Sequence, residues 1–97
     1  MNLAALIGEV ASSVEPVGES AARFSLAVRG PGEAPDVLAV HATGAQARAC
    51  LAFLRPGHRV AVEGRVAPGA RPAEVVAQRI QFLTTRAQAR ALERAAA

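Results

Sequence analysis

Three side chains of this sequence could take part in metal binding or nucleophilic catalysis, namely His41, Cys50 and His58. A closed zinc site needs four such ligands at short, recurring spacings, and one cysteine with two histidines cannot provide them. His41 precedes Cys50 in a predicted strand, but no third residue is placed to orient the histidine as a base. Cys50 falls at helical spacing with Ala47 and Leu54, which indicates core packing. We therefore expect no metal, no cofactor and no enzymatic activity.

Arginine is the remaining residue type that could bind a ligand. The eleven residues counted as Lys or Arg are all Arg, and with eight acidic residues the formal net charge is +3. This modest charge is weak evidence for a nucleic-acid partner. Strand alternation turns several arginines outward, and His41 is the only ring on the outward positions of its strand. From spacing alone, a solvated surface without a ligand is the preferred interpretation. The candidate nucleic-acid-binding residues are Arg23, Arg29, His41, Arg59, Arg65 and Arg71.

Hydrophobic periodicity predicts the elements that position these residues. Phe24, Leu26 and Val28 alternate with polar or small residues, as in a half-buried strand. Thr43 and Gln46 have the spacing of a capping box, which predicts a helix ended by Pro56-Gly57. Thr84 or Thr85 is predicted to cap a final Ala-rich helix to about Arg94. The predicted strands are Asn2–Val10, Ala22–Arg29, Asp36–Thr43, Arg59–Arg65 and Glu74–Leu83, with turns at Ser12–Ser20, Gly30–Pro35 and Ala67–Pro72.

The composition describes one small domain. Ninety-seven residues with 52% hydrophobic content can form a compact core, and a single cysteine excludes an internal disulfide. The first residues lack a signal-peptide pattern, and no apolar run approaches the ~20 residues that span a bilayer. We expect a cytoplasmic protein with no membrane contact. Periodicity alone predicts a small, mostly-β barrel or sandwich.

Five fragments in one order carry a more specific resemblance. They are Met1-Asn2 with Leu6-Ile7-Gly8, Phe24–Val28, Asp36–Gly44, Gly57–Arg65 and Ile80–Leu83. Together they resemble the core of bacterial single-stranded-DNA-binding proteins. The resemblance implies a mostly-β, five-stranded OB-fold barrel over residues 1–83, with one helix between strands 3 and 4. Residues 84–97 would form a C-terminal helical extension.

The same resemblance implies binding of single-stranded DNA, and it reverses the preference for a solvated arginine surface. This sequence departs from the family's pattern in the ligand-binding site. Val37 and Thr43 occupy positions where the family carries aromatic side chains, and the chain has no Trp and no Tyr. We expect weak, mainly electrostatic binding without sequence preference. The alternative is an OB-fold protein-assembly module that has lost nucleic-acid binding. Convergence of the arginines on one face favours DNA, whereas pairing with Glu9, Glu63 or Glu74 favours assembly.

The first strand predicts association between copies of the chain. It is apolar on both faces apart from Glu9, and an exposed edge of this kind is normally protected by charge or proline. In the resembling family the first strands pair between subunits. We expect a homo-oligomer, a dimer or tetramer, with an interface of Leu3, Ala5, Leu6 and Ile7. The rival explanation is that the C-terminal helix covers this strand within one chain.

The C-terminal segment differs from the family's acidic-apolar tip. It ends in Glu93-Arg94-Ala95-Ala96-Ala97, so we expect no recruitment of repair proteins through such a tip. Arg86, Arg90 and Arg94 form a basic stripe at i, i+4 and i+8. Either this stripe contacts phosphates, or it is the polar face of a helix that docks on a neighbouring subunit, which is the slightly preferred interpretation.

Overall fold

The computed structural model describes residues 3–32, 34–71 and 73–96. Asn2, the predicted start of the first strand, and Pro72, the predicted end of the last turn, lie outside the described residues. The strands and helices follow the predicted order with one addition. They are β1 Leu3–Val10, β2 Glu15–Val17, β3 Ala21–Val28, β4 Asp36–Thr43, α1 Gly44–Phe53, β5 Arg59–Ala67, β6 Glu74–Phe82 and α2 Arg86–Ala96.

Five of the strands close into a barrel. The sheet order is β1-β5-β6-β4-β3-β2, and β1 also pairs with β3, which joins the two sides of the sheet. The β4–β6 pairing is parallel and all others are antiparallel. This arrangement is the OB fold, as predicted. A Cβ on Gly8 would lie 2.5 Å from the Ala27 carbonyl oxygen, so glycine permits the close approach of β1 to β3.

The barrel interior contains the predicted inward residues. Phe24 and Leu26 of β3 are buried, as are Val60 and Val62 of β5, so the alternation in both strands is confirmed. Cys50 is also buried in this core, and burial raises the pKa of its thiol from 9.0 to about 11. Leu51, the residue that follows Cys50 in α1, is 36% exposed.

Two local predictions were wrong. The segment Ser12–Ser20, predicted as a turn, contains the short strand β2, whose Pro16 is tolerated because β2 lies at the sheet edge. The predicted capping box at Thr43 does not form, since Gln46 Nε2 donates to the Gln78 carbonyl at 3.0 Å and Thr43 makes no side-chain cap. A reciprocal cap forms at α2 instead, between the backbone N–H groups and side-chain oxygens of Thr85 and Gln88.

The second helix, α2, packs loosely on the barrel. None of its residues is buried, and Leu92, its largest apolar side chain, lies beside Gly57. Leu3 and Ile7 of β1 remain 57% and 56% exposed. The rival explanation, in which this helix covers the first strand, is therefore wrong. In the part of the chain that is described, no helix is long and apolar enough to cross a membrane.

Candidate nucleic-acid interface

Paired residues of four neighbouring strands form a line across the outer surface of the barrel. Arg23 of β3 pairs with His41 of β4, which pairs with Val76 of β6. Val76 in turn pairs with Arg65 of β5. Residues directly opposite each other in a sheet project from the same face. We call Arg23, His41, Val76 and Arg65 the transverse row. Its two arginines lie on strands separated by three interstrand steps, about 14 Å.

Acidic side chains modify the charge of the transverse row. Glu74 Oε1 lies 4.0 Å from Arg23 Nε and 4.0 Å from His41 Nδ1, so one carboxylate faces two of the candidate residues. The Arg23–Glu74 pair is of the kind expected to favour assembly, but both side chains are partly solvated, which makes the pair weak. Glu15 lies opposite Arg23 on β2. Arg65 has no carboxylate of a described residue within 4.0 Å.

A cleft adjoins the transverse row at each end. The larger, about 620 Å³, lies between the start of β1 and the β5–β6 hairpin and includes Leu3, Arg65 and Val76. The second, about 480 Å³, lies beside β2 and includes Glu15, Arg23 and Ser25. The row therefore connects two depressions across the sheet, a shape that suits an extended polymer better than a compact small molecule.

The remaining candidates divide between the two ends of the barrel. Arg71 is exposed in the hairpin between Ala67 and Glu74, at the same end as Arg65. Arg59 begins β5, six residues and about 20 Å from Arg65, and lies opposite Glu9. Arg29 follows the end of β3 at Val28. The structure thus brings Arg23, His41, Arg65 and Arg71 to one region, and it does not bring Arg29 and Arg59 there.

The outer face of β1 presents the predicted association residues, with one exception. Leu3, Ala5 and Ile7 are exposed, whereas Leu6 packs against the barrel core. The prediction of Leu6 as an interface residue conflicts with this inward position. β1 pairs with β5 along Leu3–Glu9, but with β3 only at Glu9 and Val10. Most of its second edge therefore has no strand partner within the described residues.

The sequence pattern did not indicate the exposure of two aromatic residues, Phe53 and Phe82, the second of which is 38% exposed. Phe53, at the end of α1, is 67% exposed. Phe53 lies three residues after Cys50, at the margin of the apolar face of α1, so helical spacing alone did not indicate its exposure. Val76 was also missed, since the mixed alternation in the last strand left its register undefined.

Comparison with solved structures agrees with the topology. The chain superposes on a small single-stranded DNA-binding protein from Streptomyces coelicolor with a TM-score of 0.69 and 23% identity, covering 82% of this chain and 90% of the other. The second single-stranded DNA-binding protein of Mycobacterium smegmatis gives a TM-score of 0.70 at 20% identity, covering 84% and 88%. The dimeric N-terminal domain of PriB from Thermoanaerobacter tencongensis gives a TM-score of 0.69 at 24% identity, covering 87% of this chain and 98% of the other.

The chain shares the OB fold of these proteins. At such identities the likeness establishes the fold alone. No protein-family model and no curated protein sequence matches the chain. Within the OB fold, the transverse row lies on the outer faces of β3, β4, β6 and β5, and the association residues lie on β1.

Proposed function

We propose that this OB-fold protein binds single-stranded DNA, without sequence preference and mainly through electrostatic contacts. The observation that carries the proposal is the transverse row, in which Arg23, His41 and Arg65 lie in line between two clefts. Arg71 extends the basic surface into the adjoining hairpin. The fold shared with proteins that are named for single-stranded DNA binding supports the same ligand.

The side chains of the row set the character of this binding. Arginine contacts phosphates, and each contact releases condensed counterions into solution. Aromatic side chains that stack on bases would add salt-resistant affinity. His41 is the only ring in the transverse row, and Glu74 faces it. Binding through this surface should therefore be weak and strongly dependent on salt.

The experiment is a fluorescence-anisotropy titration of a labelled thirty-base oligo-dT at about 50 mM and about 200 mM salt. The three arginines Arg23, Arg65 and Arg71 contribute roughly −0.7 each, so the slope of log K against log salt should be about −2 or steeper. The affinity should then fall at least about 20-fold between the two salt concentrations. Absence of binding at the lower salt would refute the function and favour an assembly module. Salt-independent binding would refute the electrostatic mechanism.

We also propose that the protein forms at least a dimer at micromolar concentration through Leu3, Ala5 and Ile7. Their exposure and the partly unpaired edge of β1 support this assembly. The dimeric state of the PriB domain is consistent with it. A dimer or tetramer would join several weak DNA sites into one footprint with higher avidity.

Sedimentation velocity tests the assembly. Ile7→Glu should convert the oligomer to monomer, because it places a charge in the apolar face. Val37→Glu is the matched control, since Val37 is a similarly exposed strand residue (51%) outside β1. Equal sedimentation of the parent and Ile7→Glu would refute this interface.

Single-stranded DNA is exposed during replication, repair and recombination, and those cytoplasmic processes are where the proposed activity would operate.

A further inference from the structure

The two exposed aromatic side chains of the chain lie together. The sequence has three Phe, no Trp and no Tyr. Phe24 is buried in the core, whereas Phe53 is 67% exposed and Phe82 is 38% exposed. Phe53 and Phe82 both line a cleft of about 200 Å³ between the end of α1, the end of β6 and the start of α2. We call this the Phe53 cleft.

Two arginines and two threonines also line the Phe53 cleft. Arg59 lies at the start of β5, and its backbone N–H donates to Thr84 Oγ1 at 2.7 Å. The Leu83 N–H donates to the Arg59 carbonyl at 2.9 Å, which ties β5 to the end of β6. Arg86 is the first residue of α2, next to the capped Thr85. Arg59 and Arg86 therefore both extend from segments that the backbone fixes beside the aromatic rings.

Exposed aromatics next to arginines form a combination with a specific chemistry. Proteins that bind single strands stack bases on aromatic rings and hold the adjoining phosphates with cations. The transverse row supplies cations with one histidine ring, and the Phe53 cleft supplies the phenyl rings that the row lacks. A volume of about 200 Å³ is below the range of sites that enclose a small molecule. It suits one base stacked against one side of the cleft.

We propose that the Phe53 cleft binds a nucleobase of single-stranded DNA by stacking on Phe53, with Arg59 and Arg86 contacting the neighbouring phosphates. The proposal rests on the proposed function and adds a second contact region. Arg59 lies six residues along β5 from Arg65 of the transverse row, about 20 Å. A thirty-base strand is long enough to contact both regions.

Tryptophan fluorescence tests the stacking directly, because the chain has no Trp. In the Phe53→Trp variant, oligo-dT should quench the indole emission as a base stacks on the ring. Leu51→Trp is the matched control, since Leu51 is exposed (36%) on the same helix and does not line the cleft. Its emission should change much less.

Affinity measurements separate stacking from charge. Phe53→Ala should weaken oligo-dT binding on the order of tenfold at every salt concentration, with the salt slope unchanged. Phe53→Tyr, which keeps an aromatic ring, should bind like the parent. Arg86→Ala should reduce the slope by about 0.7, as the loss of one phosphate contact does.

The outcomes distinguish this proposal from the proposed function. If the labelled oligonucleotide binds the parent but Phe53→Ala binds equally well, the cleft does not hold a base and only the transverse row survives. If the parent binds no oligonucleotide at low salt, both proposals fail. If Phe53→Ala lowers the sedimentation coefficient and leaves DNA affinity unchanged, the cleft is a contact between copies of the chain, which also overturns the inference.

Discussion

Glu74 is an acidic residue beside the transverse row, and its replacement should strengthen the proposed DNA binding rather than weaken it. Its carboxylate lies 4.0 Å from both Arg23 Nε and His41 Nδ1. The Glu74→Gln substitution removes one negative charge from beside the transverse row while keeping the size of the side chain. We expect this variant to bind oligo-dT more tightly than the parent.

The magnitude follows from the positions of the charges. A phosphate held by Arg23 would lie about 7 Å from the carboxylate, where two unit charges in water repel by about 0.6 kcal/mol. Removal of that repulsion corresponds to roughly threefold tighter binding. The effect should shrink with salt, because the Debye length is about 10 Å at 0.1 M. The free energy of unfolding should fall by less than about 1 kcal/mol, since the side chains of the Arg23–Glu74 ion pair are partly solvated.

Fluorescence anisotropy at about 50 mM salt measures the affinity, and urea unfolding measures the stability. Glu93→Gln is the control, because it removes the same charge from α2, outside the transverse row. It should change the affinity less than Glu74→Gln does. If Glu74→Gln binds oligo-dT no more tightly than Glu93→Gln does, the DNA does not lie along the transverse row.

Three further predictions concern stability, each measured by urea unfolding. Phe24→Ala should cost about 3–5 kcal/mol, because it truncates a buried aromatic side chain. Gly64→Ala should cost about 1–3 kcal/mol, since its methyl group would overlap the Val76 carbonyl, while Gly32→Ala, with open space around it, should cost far less. Burial raises the pKa of Cys50 to about 11, so the parent should lose roughly 2 kcal/mol relative to Cys50→Ala between pH 9 and 11.

The sign of the Cys50 effect follows from the direction of its shift. The pKa is higher in the folded state, so the stabilising contribution is complete below pH 9 and disappears as the pH rises through about 11. Cys50 is the side chain that titrates in this window, because the sequence contains no Lys and no Tyr. A constant stability difference between the parent and Cys50→Ala across that range would contradict the shift.

Strand alternation predicted most of the barrel. Phe24 and Leu26 in β3 and Val60 and Val62 in β5 are buried as their spacing indicates, because a half-buried strand must separate its two faces. β2 was not predictable in the same way. Its residues Glu15–Val17 are all exposed, so the strand has no apolar pattern and depends on pairing with β3.

The candidate site was less predictable because spacing along the chain does not fix position around a barrel. Arg23 and Arg65 belong to different strands, and only the pairing register places them in one row. Arg59 and Arg65 share an outward face of β5, yet their separation along the strand puts them in different regions. Phe53 and Phe82 line the same cleft only because α1, β6 and α2 converge, which no local pattern indicates.

The DNA affinity of an Arg23→Ala, Arg65→Ala double variant tests directly whether DNA lies across the transverse row. Its control is Arg48→Ala with Arg94→Ala, which removes the same charge from the two helices. The row variant should bind oligo-dT at least tenfold more weakly at low salt, with a salt slope reduced by about 1.4 for two lost phosphate contacts. The control should keep most of the affinity. Retention of the parent's affinity and slope by the row variant would contradict the claim that DNA lies across the transverse row.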